Sequence, residues 1–176
     1  PFEKNFGSES EWGFTEKTVL KELIKTLTSI SDTIKKTLSM IVLLHPEEDE
    51  HEISDIIKTV NANFKITLCR SNKSLDSVIA GDLITGMFSI LLSEAVILNR
   101  LVIPIQLHLQ KQDMLITDKV GATIPVRTKQ DFFTHFIKAI INNEYRYELL
   151  SQQQKFTIVK NSTSRWINII RKLTFE

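Results

Sequence analysis

Hydrophobic and polar positions divide this chain into alternating segments. Val19, Leu20, Leu23, Ile24, Leu27, Ile30 and Ile34 recur at three- and four-residue steps. That spacing predicts an amphipathic helix, with Thr15 as its cap and Glu16 in its first turn. Residues 1–14 carry Gly7, Gly13, Ser8 and Ser10 around Trp12 and read as a loop or as the tail of a missing element. Ser39 to Leu44 is a short continuous apolar run that stops at His45-Pro46, a first strand. The acids Glu47, Glu48, Asp49, Glu50 and Glu52 follow, then Ile53, Ile56, Ile57 and Val60, which predict a helix with negative charge at its N-terminus. Phe64 to Leu68 alternates as a second strand, and Leu75, Val78 and Ile79 suggest a short helix.

The same rhythm continues. Leu83-Ile84-Thr85 reads as a third strand closed by Gly86, and Ile90 to Leu98 as a helix apolar on almost every side and buried against a sheet. Leu101 to Ile105 is a fourth strand, His108 to Lys119 a polar loop, and Gly121 to Val126 a weak fifth strand. Phe132, Phe133, Phe136, Ile137, Ile140 and Ile141 form a strongly amphipathic helix, and two more helices are expected near 143–153 and 157–173. Short apolar strands alternating with helices imply an α/β fold. The expectation is a doubly wound, Rossmann-like parallel sheet of about five strands, with helices on both faces and extra C-terminal helices. Residues 1–142 form the Rossmann-like domain and 143–176 a helical tail.

Composition narrows the class. The 176 residues include 22 Lys+Arg and 21 Asp+Glu, a net charge of +1, which gives no bulk electrostatic case for nucleic acid or an anionic membrane. The single cysteine, Cys69, excludes an internal disulfide and a multi-cysteine zinc site, fits a reducing, cytoplasmic setting, and reads as core. No run of about 18 apolar residues predicts a spanning helix.

In open α/β sheets ligands bind at the carboxyl ends of the strands. That rule selects His45 and Pro46, Cys69 and Arg70, Gly86 to Ser89, and Gln106 to His108. Thr85-Gly86-Met87-Phe88-Ser89 is a strand-to-helix turn whose free N–H groups and helix dipole favour phosphate. Ser89 either binds a phosphate oxygen there or merely caps its helix. Glu94 lies on an apolar helix, where a carboxylate is either paired, for instance with Arg100, or open to a site in which it holds ribose hydroxyls. His45 places an imidazole at the sheet edge, to contact phosphate or to pack; Arg70, Gln106 and His108 are weaker candidates. No catalytic residue is assigned. His45, Glu47, Glu48 and His51 have the residue types of a metal site but read as a solvated helix start, so no metal or cofactor is expected. P-loop, dinucleotide-binding, zincin, nucleophile-elbow and EF-hand motifs do not occur. A receiver-domain reading fails because Asp82 precedes its strand.

The run Gly81 to Ala95 (GDLITGMFSILLSEA), followed by Leu101-Val102-Ile103-Pro104-Ile105, resembles the C-terminal half of GT-B glycosyltransferases and UDP-GlcNAc 2-epimerases. His45-Pro46 is similar to the His-Pro pair of bacterial sialyltransferase-like and polysaccharide-synthesis members. The resemblance covers residues 38–142 and, more loosely, Gly13 to Glu16. It implies that His45 contacts a donor phosphate, that Thr85, Gly86 and Ser89 line the diphosphate turn, and that Glu94 holds the ribose. It also implies a nucleotide sugar as substrate and a separate N-terminal acceptor-binding domain, so that this chain, which begins without Met, is a piece of a longer two-domain protein and catalytically incomplete alone. Met87 and Phe88 depart from the small residues usual in that turn, and Leu107-His108-Leu109 lacks the expected glycine. An epimerase half and a non-catalytic Rossmann-like scaffold are the alternatives.

Overall fold

The computed structural model describes residues 5–31, 34, 37–70 and 74–156. Its first elements follow the pattern. A short helix α1 (Glu9–Trp12) replaces the expected N-terminal loop. Helix α2 spans Glu16–Ser31 and buries Val19, Leu20, Leu23, Ile24 and Leu27. Strand β1 (Ser39–Leu44) and strand β2 (Lys65–Arg70) pair in parallel, with Ser39 opposite Lys65 and Leu44 opposite Arg70. Between them runs α3 (Glu50–Val60). The Asp49 side chain accepts from the His51 N–H at its start, and Asn61 ends it in a left-handed conformation. Helix α2 is a wedge with two apolar stripes. Leu20 and Ile24 meet Leu44 of β1 and Ile53 and Ile56 of α3, while Val19, Leu23 and Leu27 meet the main core.

The main core is built on residues 101–107, every one of them buried. Leu101, Ile103, Ile105 and Leu107 face the largest cluster, with Trp12, Phe14, Val126, Phe132 and Phe136. Val102 faces the opposite side, against Val78 of α4 (Ser74–Ala80) and Leu92, Ala95 and Val96 of α5 (Ile90–Ile97). The segment is thus covered on both faces, as its unbroken apolar run demands. It has a parallel neighbour on each side: Ile84 bridges to Val102, and Ile105 bridges to Val126.

The five-stranded sheet is not present as such. Among the described residues β1 and β2 are the only extended ladder, and the third, fourth and fifth strands reduce to two isolated bridges. Pro104 supplies part of the reason. It has no N–H to donate toward the Val126 segment, so that contact holds by Val126 N–H to Pro104 O (2.8 Å) and Gln106 N–H to Val126 O (2.9 Å). The expected fifth strand also starts late, because Ala122 and Thr123 N–H groups turn back to Thr117 O. The covering of both faces likewise fails at β1–β2. Ser39, Ile41, Lys65 and Thr67 share one exposed face, and α2 and α3 cover the other.

The polar loop contains a turn of helix, α6 (Ile116–Lys119). The phenylalanine-rich helix forms, but as α7 (Lys129–Asp131), a π-helical stretch over Phe132–Ile137 and α8 (Lys138–Ile141). Helix α9 (Asn143–Gln153) matches the first tail helix; the second, near 157–173, lies outside the described residues.

One side chain of α9 completes the core segment. Gln153 is 3 % exposed. Its Oε1 accepts from Val102 N–H (2.8 Å), and its Nε2 donates to Arg100 O (2.7 Å). Those are the backbone groups that the shortened fifth segment does not reach. Gln153→Leu strands both of them, at about 1–3 kcal/mol for each group left unpaired in the interior. Urea unfolding should show that loss.

Candidate functional site

Three loops meet at the carboxyl ends of the bridged segments. The Gly86–Ser89 turn is held by Ile105 N–H to Gly86 O (2.8 Å) and by Thr85 Oγ1, which donates to Ile103 O (2.8 Å). Gln106 reaches it from below, its Nε2 lying 3.4 Å from Met87 O. The third loop is Gly13 to Thr15. Gly13 has φ +90° and lies against the turn at His108, where a Cβ would sit 2.0 Å from the His108 carbonyl oxygen. Gln110 N–H donates to Trp12 O (3.1 Å), and Lys111 Nζ stands 4.8 Å above the Trp12 ring.

The bulky residues of the turn point inward. Phe88 packs edge-on against Trp12 (5.4 Å between centroids) and tilted against Phe14 (5.6 Å). Met87 packs on the main core. The outer side of the turn is therefore backbone and Ser89. Ser89 is exposed and caps α5, its Oγ accepting from Leu91 N–H (3.2 Å). Among the described residues no acceptor engages the N–H groups of Ser89 and Ile90. The N-terminus of α2 is by contrast sealed: Thr15 is 5 % exposed and its N–H donates to Thr18 Oγ1 (2.8 Å).

Helix α5 departs from its expected burial. Leu92, Ser93, Ala95 and Val96 face inward, but Ile90, Glu94, Ile97 and Leu98 share an exposed stripe. Glu94 makes no hydrogen bond or ion pair through its side chain among the described residues, so the pairing with Arg100 does not form. Gly86 has an ordinary backbone; a Cβ there would only touch Leu92 at 3.4 Å.

The other candidates sit elsewhere or serve the fold. His45 is exposed after β1, and its Nδ1 accepts from Glu47 N–H (3.3 Å), which leaves Nε2 as the outward donor. Its own N–H donates to Glu48 (2.7 Å). Arg70 is the last residue of β2, not the residue after it, and is engaged by Glu50 (3.2 Å) and Glu48 O (3.4 Å). No hydrogen bond or ion pair joins His45 or Arg70 to Gly86, Ser89 or Glu94 among the described residues. Gln106 is fully buried, a brace and not a surface ligand. His108 is exposed at φ 57° and acts through its backbone, donating to Arg127 O (2.7 Å). His135 meets Tyr145 Oη at 2.5 Å, a packing role.

The sequence reading passed over a polar cluster within the supposed loop. Asp113 Oδ1 accepts from Gln106 Nε2 (3.0 Å) and Leu115 N–H (2.9 Å), and its Oδ2 accepts from Arg127 Nη2 (2.7 Å). Asp118 Oδ1 accepts from Thr123 Oγ1. Burial tends to raise the Asp113 carboxyl, but the Leu115 and Gln106 donors and the Arg127 charge outweigh it and hold it below the usual carboxylate range. Burial, assisted by the Asp113 charge, pushes Asp118 up to about 7. Only the two aspartates five positions apart hinted at this in the sequence.

No protein-family model matches the chain, and no curated protein matches it. Among the described residues no helix is long and apolar enough to cross a membrane, and no group of three or more His, Cys, Asp or Glu side chains is placed to hold a metal.

Two outcomes follow. Gly13→Ala forces a left-handed backbone on alanine, costing about 1–2 kcal/mol, and drives its methyl into His108 O, so unfolding should shift by more than that strain alone. For Asp118, the unfolded side chain loses its proton near 3.8 and the folded one near 7, so the folded state holds the extra proton between those values. Stability contributed by this group is present below the lower value and is lost as pH rises through the upper one. Asp113, lowered from 3.8, acts only below that value, where its contribution is lost on acidification. Urea unfolding across this range should show the decline, and Asp118→Asn should flatten it.

Proposed function

We propose that this chain is the donor-binding, Rossmann-like domain of a glycosyltransferase-like protein of the GT-B type, working in surface polysaccharide synthesis. The observation that carries the reading is the open N-terminus of α5. Ser89 and Ile90 present unengaged N–H groups beyond the carboxyl end of a parallel-paired segment, and an exposed, unpaired Glu94 lies five residues on. A helix N-terminus in that position favours a diphosphate, through its N–H groups and its dipole together. A carboxylate is suited to accept from both hydroxyls of a ribose. The inward packing of Met87 and Phe88 keeps the outer side of the turn clear.

In this reading Thr85 and Gly86 shape the turn, Ser89 and Ile90 hold the diphosphate, Glu94 holds the ribose, and His45 offers Nε2–H to a phosphate oxygen. Arg70, Gln106 and His108 support the surrounding structure. The reading takes the β1–β2 pair and the 84–102/105–126 contacts as a reduced form of one doubly wound sheet. Catalysis needs an acceptor-binding N-terminal domain, in a cytoplasmic enzyme. A non-catalytic interaction domain is the second reading, favoured by the exposed apolar stripe of Ile90 (77 %), Ile97 (44 %) and Leu98 (39 %) around Glu94.

Isothermal titration calorimetry against UDP, CMP, CDP, GDP and ADP tests this. The expected outcome is saturable binding of one nucleotide, weakened at least tenfold by Glu94→Ala, which as a surface change leaves stability within about 0.5 kcal/mol. Absence of binding by all five at millimolar concentration overturns the donor-site reading in favour of the interaction domain.

A further inference from the structure

The chain leaves the core segment at Gln106 and returns at Val126, and the intervening excursion is closed at its base by Gln106 N–H to Val126 O and His108 N–H to Arg127 O. Both aspartates of the polar cluster lie on it. Each carboxyl acts electrostatically on the other, and the Arg127 charge acts on both. Their surroundings are unequal. The Asp113 oxygens receive three donors, from Gln106, Leu115 and Arg127, the environment of an ionised carboxylate. Asp118 Oδ1 has the Thr123 hydroxyl, but its Oδ2 is buried and meets no donor. A charged oxygen so placed, beside a second carboxylate, is strongly disfavoured. A proton on Oδ2 removes the charge and converts the orphan acceptor into a donor toward Asp113.

We propose that Asp113 and Asp118 share a single proton, and that this proton latches the 107–125 excursion onto Gln106 and so sets the shape of the Gly86–Ser89 turn. Gln106 is the connection: fully buried, its Nε2 lies 3.0 Å from Asp113 Oδ1 and 3.4 Å from Met87 O. With the proton present, Asp113 and Asp118 attract and tie the start of the excursion to α6. Without it, two like charges face each other in a partly buried site, and Asp113 is driven from Gln106. The charged groups acting on Asp118 are Asp113, on the excursion, and Arg127, just beyond Val126; Thr123 is its neutral partner. From α9, the neutral Gln152 reaches the excursion at Gly121 O (2.9 Å). The latch concerns the shape of the turn and stands whether or not the turn binds a nucleotide.

The test is a carboxyl-carbon NMR titration of the full chain, without nucleotide, from pH 3 to 9, alongside amide spectra. The Asp118 carboxyl should titrate near 7, and the amides of Leu115, Gly121, Met87 and Ser89 should shift with the same midpoint. Asp118→Asn should abolish that midpoint at all four amides. Asp113→Asn, which removes the neighbouring charge, should move the Asp118 midpoint downward, and keeps the test open if the first variant does not fold. An Asp118 midpoint in the ordinary carboxylate range, or one unmoved by Asp113→Asn, overturns the shared proton. Amides of Met87 and Ser89 that ignore the Asp118 midpoint overturn the latch.

Discussion

Burial of residues 101–107 imposes the constraint on which the rest of this structure depends. A backbone segment removed from water on every side must have each polar group met by protein. Ile84 and Gly86 serve it on one side, Val126 on the other, and Gln153 takes the positions that Val126 does not reach. Pro104 fits because it has no N–H to satisfy. The apolar side chains then dictate two layers, α4 and α5 beneath Val102 and the aromatic cluster above Ile103 and Ile105. Helix α2 belongs to the second layer and carries the β1–β2 pair on its other stripe.

The candidate site is a consequence of that arrangement. Since Ile105 bonds Gly86, the turn into α5 must leave the core just where the buried segment ends. Phe88 is drawn to Trp12 and Phe14, and the turn consequently shows its backbone to solvent. The same geometry brings Gln106 under the turn and places the Asp113–Asp118 cluster behind it. The candidate turn and the polar cluster are thereby separated by one buried amide side chain.

Element type was largely legible in the sequence. The three- and four-residue spacing of Val19 to Leu27 marked α2, Asp49 and the acids after it marked the start of α3, and Ser89 marked the start of α5. Extent was less so. The apolar stretch 101–105 looked like an ordinary strand, yet its ladder is broken by a proline and by a neighbour that turns late. Helix α5 looked buried all round because seven of its eight residues are uncharged and mostly apolar, while the packing covers only one side. The Gly86–Ser89 turn lies at the strand end where position put it and Glu94 is exposed on α5, whereas Gln106 lies beneath the turn, buried rather than open to solvent.

Local propensity and hydrophobic period act over a few residues, so the sequence by itself determined the alternation of apolar strands and helices, the helix caps and the candidate turn. Pairing and protonation depend on residues far apart in the chain. Tertiary structure alone decided that Gln153 completes the core from 51 positions beyond Val102, that Gly13 abuts His108, and that Asp118 Oδ2 is buried without a donor while Asp113 receives three. Each of those follows from burial, which makes an unpaired donor or charge costly only once the fold has closed around it.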